Sequence, residues 1–428
     1  MKSKAYRAVD VNRVEIGAWL EERGDAAVQV GLDVGKEFIF CTLRWDDYDF
    51  DRPWRVRNPS EVRRLAELLS AIGQGRRMVV AMEPTGTYGD ALRQALERAG
   101  LEVHRVSPKN ASDFAEMFDG VPSQHDGKDA AVIAELAAQG RSWAWPMPVA
   151  TEVEQELAFQ VEWLDGQRRQ MMLWCGRVEA LLSRHWPEAT RVVPLCSATL
   201  LHCLRKYGGP SGLGAATDGL ERVQAWGGSR LTEEKARALV EGARQTVGVA
   251  MGSWDQERLR RYAEQIQNCQ REMRAGQRRL HVLTKGHAVI RGMGEVVGVP
   301  TACVLWVELG DPRSFHCGAA YRKAMGLNLA ERSSGKWKGK LKISKRGSST
   351  VRRWLYLAAL RWVRKEPVHS WYVRQKAQRR GEGKPAVIGV MRKLALALYQ
   401  VGGRGKVFDR EQLYAQLTGS AAQSAPAK

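Results

Sequence analysis

A chain of 428 residues exceeds a single typical domain, so two or three domains with buried cores are expected. Its 67 Lys and Arg against 47 Asp and Glu leave a net charge of +20, which points to a polyanionic partner, nucleic acid before an anionic membrane surface. No run of about 18 apolar residues exists to span a bilayer, and the opening MKSKAYRAVDVNR lacks the apolar core of a signal peptide, so a soluble cytoplasmic protein is expected. The seven cysteines include no CxxC pair and support neither a disulfide framework nor a zinc site. Of the fifteen tryptophans most are expected in cores, with some free to stack on bases.

Residues 1–25 read as an extension, and the first domain is expected at 26–150. From Val28 an apolar run ends in Asp33, a turn follows at Gly35-Lys36, and Phe38–Trp45 alternates, which predicts a hairpin with Asp33 near the end of a central strand. A short strand is expected at 54–56, a helix at 60–72 and a buried strand at Met78–Met82 that runs straight into Glu83. The turn 84–89 leads to a helix at 90–99, a strand at 101–106 and a helix at 110–117. His125-Asp126-Gly127-Lys128-Asp129 then opens a helix at 130–139. The order βββαβαβα describes a mixed sheet flanked by helices, the ribonuclease H-like arrangement.

Asp33 and Glu83 stand at strand ends, where side chains converge at one sheet edge, and Asp126 and Asp129 are three apart at a helix start and share its face. Carboxylates that repel one another suit divalent cations, and hard oxygen donors suit Mg²⁺ or Mn²⁺. Two such ions about 4 Å apart would activate a nucleophile and stabilise a leaving oxygen in phosphoryl transfer. The plainer reading is that acids after strands are common, that Asp126 only caps its helix, and that His125 is an ordinary loop histidine.

In the middle, 151–285, Val153, Leu157, Val161, Leu164, Met171, Cys175, Val178 and Leu182 keep three-four spacing, with Arg168 the one polar interruption. Leu259, Tyr262, Ile266, Cys269, Met273, Gly276, Leu280 and Leu283 do the same. Two long helices packed as a coiled-coil arm follow, paired within one chain or between chains; ordinary core helices are the alternative. Between them, residues at about 186–250 are rich in glycine and turn signals and read as an insertion at the tip, with a helix at 232–246 capped by Thr232.

The C-terminal domain, 286–418, is expected to be mainly α-helical. Gly292-Met293-Gly294 looks like the turn of a helix–hairpin–helix module, with helices at 300–308, 317–325, 352–365 and 387–399 beyond it. Between the second and third of these, Ser333 and Ser334 stand beside Gly335, followed by Lys336, Lys338, Lys340, Lys342, Lys345, Arg346, Arg352 and Arg353 with no acid after Glu331. Such a serine is a candidate nucleophile facing a phosphate, and the cations are candidate nucleic-acid contacts. A solvated basic loop that happens to contain serines is the bland alternative. The tail 419–428 is expected to be disordered.

GLDVGKE, MEPTGTYG and HDGKDAAVIAELA, then IRGMGE, AYRKAMGL and SSGKWKGKLKISKRGSSTVRRWLY, resemble the DEDD transposases of bacterial insertion sequences, the group related to the Piv DNA invertases. The resemblance covers roughly 28–150 and 286–400. It implies a RuvC-like fold for the first domain, with Asp33, Glu83, Asp126 and Asp129 as the tetrad that binds Mg²⁺ or Mn²⁺. It also implies a catalytic serine before a glycine, which selects Ser334 and leaves Ser333 as the alternative. A structured non-coding bridge RNA pairing with donor and target DNA is implied as well, in a bacterial, nucleoid-associated setting. The expected chemistry is cutting and rejoining of DNA through a covalent phosphoserine. Strand exchange needs several cuts, so a dimer or tetramer is expected, with serine and acids acting in one chain or across chains. The rival readings are a metal-dependent endonuclease or junction resolvase without a serine intermediate, and a non-catalytic nucleic-acid-binding protein.

Overall fold

The structure, a computed structural model, describes residues 7–46, 49–84, 86–118, 125–147, 150–331, 342–411 and 413. The chain divides into two compact units, Met1–Val149 and Ala150–Lys428.

The first unit contains, in chain order, β1 (Val9–Asp10), α1 (Gly17–Glu22), β2 (Val28–Val34), β3 (Phe38–Trp45), β4 (Trp54–Arg57), α2 (Val62–Gly73), β5 (Met78–Met82), α3 (Asp90–Arg98), β6 (Val103–Val106), α4 (Pro108–Phe118), α5 (Asp126–Ala138) and β7 (Ser142–Ala144). The strands form one sheet in the order β1-β4-β3-β2-β5-β6-β7. β3 runs antiparallel to both β2 and β4, while β2, β5 and β6 are parallel. These central five strands carry the order and directions of a ribonuclease H-like sheet, as the sequence leads one to expect. β2 is covered on both faces, which is why it reads as an apolar run with few polar breaks. Val30, Leu32, Val80 and Met82 lie in one core with Leu65, Leu69, Leu92 and Leu96 of α2 and α3. On the other face Ala81 and Val106 pack with Val132, Ile133 and Leu136 of α5.

One close approach sets the position of α5. A Cβ on Gly31 of β2 would lie 1.9 Å from the Ala130 carbonyl oxygen and 2.5 Å from the Ala134 nitrogen, so only glycine lets the helix lie this low on the sheet. The buried Thr42 hydroxyl donates to the Gly127 carbonyl, and the buried Arg44 guanidinium pairs with Glu135, fixing both ends of the same helix to β3.

The expected extension 1–25 is instead partly built into this unit. Val9↔Trp54 and Asp10↔Arg55 pair in parallel, and Val11 is fully buried. Two residues are too few to show a strand period. The edge strand β7, also short, was likewise absent from the sequence reading, and α5 starts at Asp126 rather than 130.

The second unit contains α6 (Glu152–His185), α7 (Ala189–Val192), α8 (Ala198–Tyr207), α9 (Pro210–Ala215), α10 (Gly219–Gly227), α11 (Glu233–Arg244), α12 (Ser253–Leu283), α13 (Ala288–Val297), α14 (Val299–Leu309), α15 (Gly318–Ala324), the hairpin strands β8 (Leu329–Ala330) and β9 (Lys342–Ile343), α16 (Ser349–Trp362), α17 (Val368–Gln378) and α18 (Lys384–Leu398). No helix among the described residues is long and apolar enough to cross a membrane. α6 and α12 pair within one chain and run antiparallel: Glu156 meets Arg279, Trp163 donates to Glu272, and the Trp174 and Tyr262 rings lie 5.3 Å apart. A capping box at Thr151 starts α6.

The two ends of this pair enter different cores. Leu157, Val161, Leu164 and Leu280 pack with the C-terminal helices around Met293, Leu305, Leu355 and Leu394. Val178, Leu182, Leu259 and Ile266 pack with Trp186, Leu200, Leu204 and Leu239 of the inserted segment, which is a set of helices rather than a loop. Thr232 caps α11 as expected. The Cys175 and Cys196 sulfurs lie side by side against this second core.

Gly292-Met293-Gly294 is a correction. These residues lie inside α13, and the turn falls at Gly298. The glycines are there for clearance: a Cβ at Gly292 would lie 2.9 Å from Val401, and one at Gly294 2.9 Å from Val299. The tail 419–428 lies outside the described residues.

At the α6–α16 contact a carboxylate is buried. Asp165 is 3 % exposed, accepts a 2.9 Å hydrogen bond from the Trp354 indole, and pairs with Arg169 and Arg353. Arg168 lies over the Trp354 ring.

Two substitutions test these anchors. Gly31→Ala is expected to destabilise the first unit by about 3 kcal/mol or more, because α5 must lift; thermal melts and proteolysis of the full chain read this. Asp165→Ala, which strips Trp354 and Arg353 of a shared acceptor, is expected to cost about 3 kcal/mol, with Asp165→Asn milder, as read by denaturant unfolding.

Candidate metal centre

Register places the first pair of acids. Leu32 and Met82 are partners in the parallel β2–β5 ladder, so Asp33 and Glu83, one residue on, sit side by side on the opposite face, the face that carries α5. The second pair comes from the first turn of α5. His125 is extended and exposed at the N-cap, its carbonyl receiving the Lys128 and Asp129 amides, and Asp126 and Asp129 follow within the turn. Carboxylates there also face the positive end of the helix dipole.

Asp33, Asp126 and Asp129 each bring a carboxylate oxygen to within 4.8 Å of the others. Glu83 stands outside that set of three but acts on it electrostatically. Burial first, then Asp129, Asp126 and Glu83, push the Asp33 carboxyl up to about 6. Burial and then Asp126 raise Asp129, opposed by Lys128 and His125; burial and then Asp129 raise Glu83. Asp33, Glu83 and Asp129 therefore hold protons more tightly than free carboxylates because they are partly desolvated and crowded by like charges. A divalent cation relieves this strain better than protons do, and the donors are all hard oxygens.

Sequence reasoning missed Lys128, which is 2 % exposed between the two acids of α5. Gly31, Thr42 and the Arg44–Glu135 pair were missed as well. A lysine in an acidic turn was the available signal for the first; the others depend on long-range contacts.

In the second unit, Ser333, Ser334, Lys336, Lys338 and Lys340 lie outside the described residues. The chain on either side of them is held by a two-pair antiparallel ladder, Leu329↔Ile343 and Ala330↔Lys342. The Lys345 and Ser344 amides donate to the Gly326 and Asn328 carbonyls. Lys342, Lys345 and Arg346 are exposed. Arg352 and Arg353, expected among the nucleic-acid contacts, are partly exposed and have partners within the unit. Arg352 donates to the Gly347 carbonyl and burial lowers its proton affinity, while Arg353 is bound to Asp165 and Thr350.

Two family models match the chain in order. Residues 30–187, which hold all four acids, match a DEDD model of the IS110 element described as a transposase, and residues 289–374, which hold both serines, match the transposase IS116/IS110/IS902 family. The chain belongs to the IS110 family of transposases. This IS110-family chain is 26 % identical over 315 residues to the insertion element IS110 uncharacterized 43.6 kDa protein of Streptomyces coelicolor, covering 71 % of this chain and 76 % of that one. T. thermophilus RuvC, solved in complex with a Holliday junction substrate, aligns with 28 % of this chain and 99 % of its own at 14 % identity and a TM-score of 0.22. A likeness that slight carries no argument.

The raised Asp33 gives a prediction for this transposase without metal. A carboxyl raised from its ordinary value to about 6 takes up a proton on folding, so its contribution to stability weakens as pH rises from about 4 through 6. Asp33→Asn is therefore expected to raise the Tm of the metal-free chain at pH 8 and to leave it nearly unchanged at pH 4. Mn²⁺ affinity of the wild type, read by calorimetry, is expected to climb with pH through about 6, and Asp33→Asn to weaken it.

Proposed function

We propose that this transposase cuts and rejoins DNA by phosphoryl transfer, with Asp33, Asp126 and Asp129, assisted by Glu83, as its metal-binding centre. The observation that carries this reading is the convergence of three carboxylates within 4.8 Å at one sheet edge, two of which, Asp33 and Asp129, have proton affinities raised by burial and by their neighbours' charges. These residues would hold Mg²⁺ or Mn²⁺, which when bound supplies Lewis-acid stabilisation of the charge developing on the phosphate oxygens.

Ser334 is the nucleophile in this reading, with Ser333 as the alternative. Its Oγ attacks phosphorus, an O–P bond to the serine forms, the bond from phosphorus to the sugar oxygen breaks, and that oxygen takes up the proton the serine gives up. A serine hydroxyl is a poor nucleophile at neutral pH, so a base or a cation must activate it. The phosphoserine keeps the energy of the phosphodiester, and attack by another strand's hydroxyl restores DNA without ATP. Lys336, Lys338, Lys340, Lys342, Lys345 and Arg346 hold backbone phosphates. Donor and target DNA are brought together by a bridge RNA, in line with a net charge of +20, and a dimer or tetramer supplies the several cuts.

A second reading has one observation in its favour: the carboxylate centre is assembled from the first unit alone. In it the protein is a metal-dependent endonuclease or junction resolvase, and water replaces the serine.

The test is a covalent-adduct assay in cells carrying the gene with its native flanks. Protein-linked DNA is expected from the wild type and from Ser333→Ala, and none from Ser334→Ala or Asp126→Ala. Cutting that survives Ser334→Ala and Ser333→Ala but not Asp126→Ala would establish the nuclease reading instead.

A further inference from the structure

The parallel strands β5 and β6 end side by side, and beyond their ends lies a cavity lined by Pro84, Arg105, Val106, Ser107, Pro108 and Trp143. Pro84 follows Glu83 in the chain, while Arg105, the ladder partner of Met82, stands on the sheet face that carries α2 and α3, opposite the face of Asp33 and Glu83. Arg105 and Trp143 are register partners in the antiparallel β6–β7 pair, and their side chains therefore stand next to one another on one face of the sheet edge.

Both side chains are open to solvent. Trp143 is 53 % exposed, and Arg105 is exposed with no ion pair among the described residues. Trp145, two residues on, behaves otherwise: the Arg93 guanidinium covers its ring at 4.0 Å, and it packs against the core of α2 and α3. The fold therefore seals one indole of this segment and leaves its neighbour bare beside a bare cation and a cavity.

That pairing has a chemical match. A flat exposed indole stacks on a nucleobase whatever its identity, and a guanidinium pairs with a phosphate through two parallel hydrogen bonds. A base inside a duplex is already stacked on its neighbours, so an indole of this kind reaches only an unpaired nucleotide.

We propose that the cavity is a nucleotide subsite for single-stranded DNA, in which Trp143 stacks on one base and Arg105 pairs with the adjoining phosphate. It takes a single strand at the end of β6, and it rests on the reading of this chain as a protein that cuts DNA.

The experiment uses the full chain with Ca²⁺ in place of Mg²⁺ and a single-stranded oligothymidylate carrying one 5-iododeoxyuridine. It is run at raised salt to weaken charge-driven binding elsewhere on the protein. Ultraviolet crosslinking followed by mass spectrometry is expected to place the adduct on Trp143. Trp143→Ala and Arg105→Ala are each expected to weaken oligonucleotide binding by about tenfold, Trp143→Phe to retain most of it, and duplex binding to change little; both side chains are exposed, so melting temperatures should hold. Adducts elsewhere together with unchanged affinity of Trp143→Ala would overturn the subsite. An oligouridylate that binds and crosslinks at Trp143 more strongly than the DNA would overturn its assignment to DNA. Asp126→Ala separates the two claims: a Trp143 adduct with cutting retained in this variant supports the subsite and refutes the carboxylate reading.

Discussion

The first unit is organised around a repulsion. Three carboxylates are held within 4.8 Å of one another, and the chain tolerates this only because packing elsewhere forces it. Register between β2 and β5 aligns Asp33 with Glu83, and the clearance at Gly31 lets α5 lie low enough to add Asp126 and Asp129. Thr42 and the Arg44–Glu135 pair then hold the helix down. The unfavourable crowding is localised, while the apolar contacts that offset it are spread over two faces of the sheet. A site strained in this way favours a cation over a proton or a water.

The central sheet was legible because its strands show their period. β2, β3 and β5 alternate or run apolar, and the acids stand at their ends, where the sequence itself marks the stop. The edge strands β1 and β7 were not legible, since two or three residues carry no period. Asp126 looked like a residue preceding a helix, because Gly127 and Lys128 break the amphipathic pattern; the structure makes it the first helical residue. Lys128 is buried against expectation for its type, and nothing local announces that.

In the second unit the long helices were visible from their three-four spacing, but the roles of their polar residues were not. Asp165 sits next to Leu164 in the stripe and looks like a solvent-facing acid, yet it is the acceptor that joins α6 to α16 through Trp354 and Arg353. A sequence shows that arginines are numerous and not which of them are already committed. Arg352 and Arg353 already have partners within the unit, and Lys342, Lys345 and Arg346 are exposed. The glycines of α13 mislead in the same manner: a turn motif of three residues was decided by side chains more than a hundred residues later in one case and five in the other.

The antiparallel pairing of α6 with α12 bears on how such a chain can change over generations. Each helix has one end in the core of the C-terminal helices and the other in the core of the inserted segment. At about 1.5 Å per residue, lengthening α6 alone by one turn would push its contacts about 5 Å out of step with those of α12. Insertions and deletions in the two helices must therefore occur in matched steps, whereas the connections between α7 and α11 are free to vary in length. Across relatives, the distance separating the two cores should thus change in discrete increments shared by both helices, and the inserted segment should account for most of the variation in chain length.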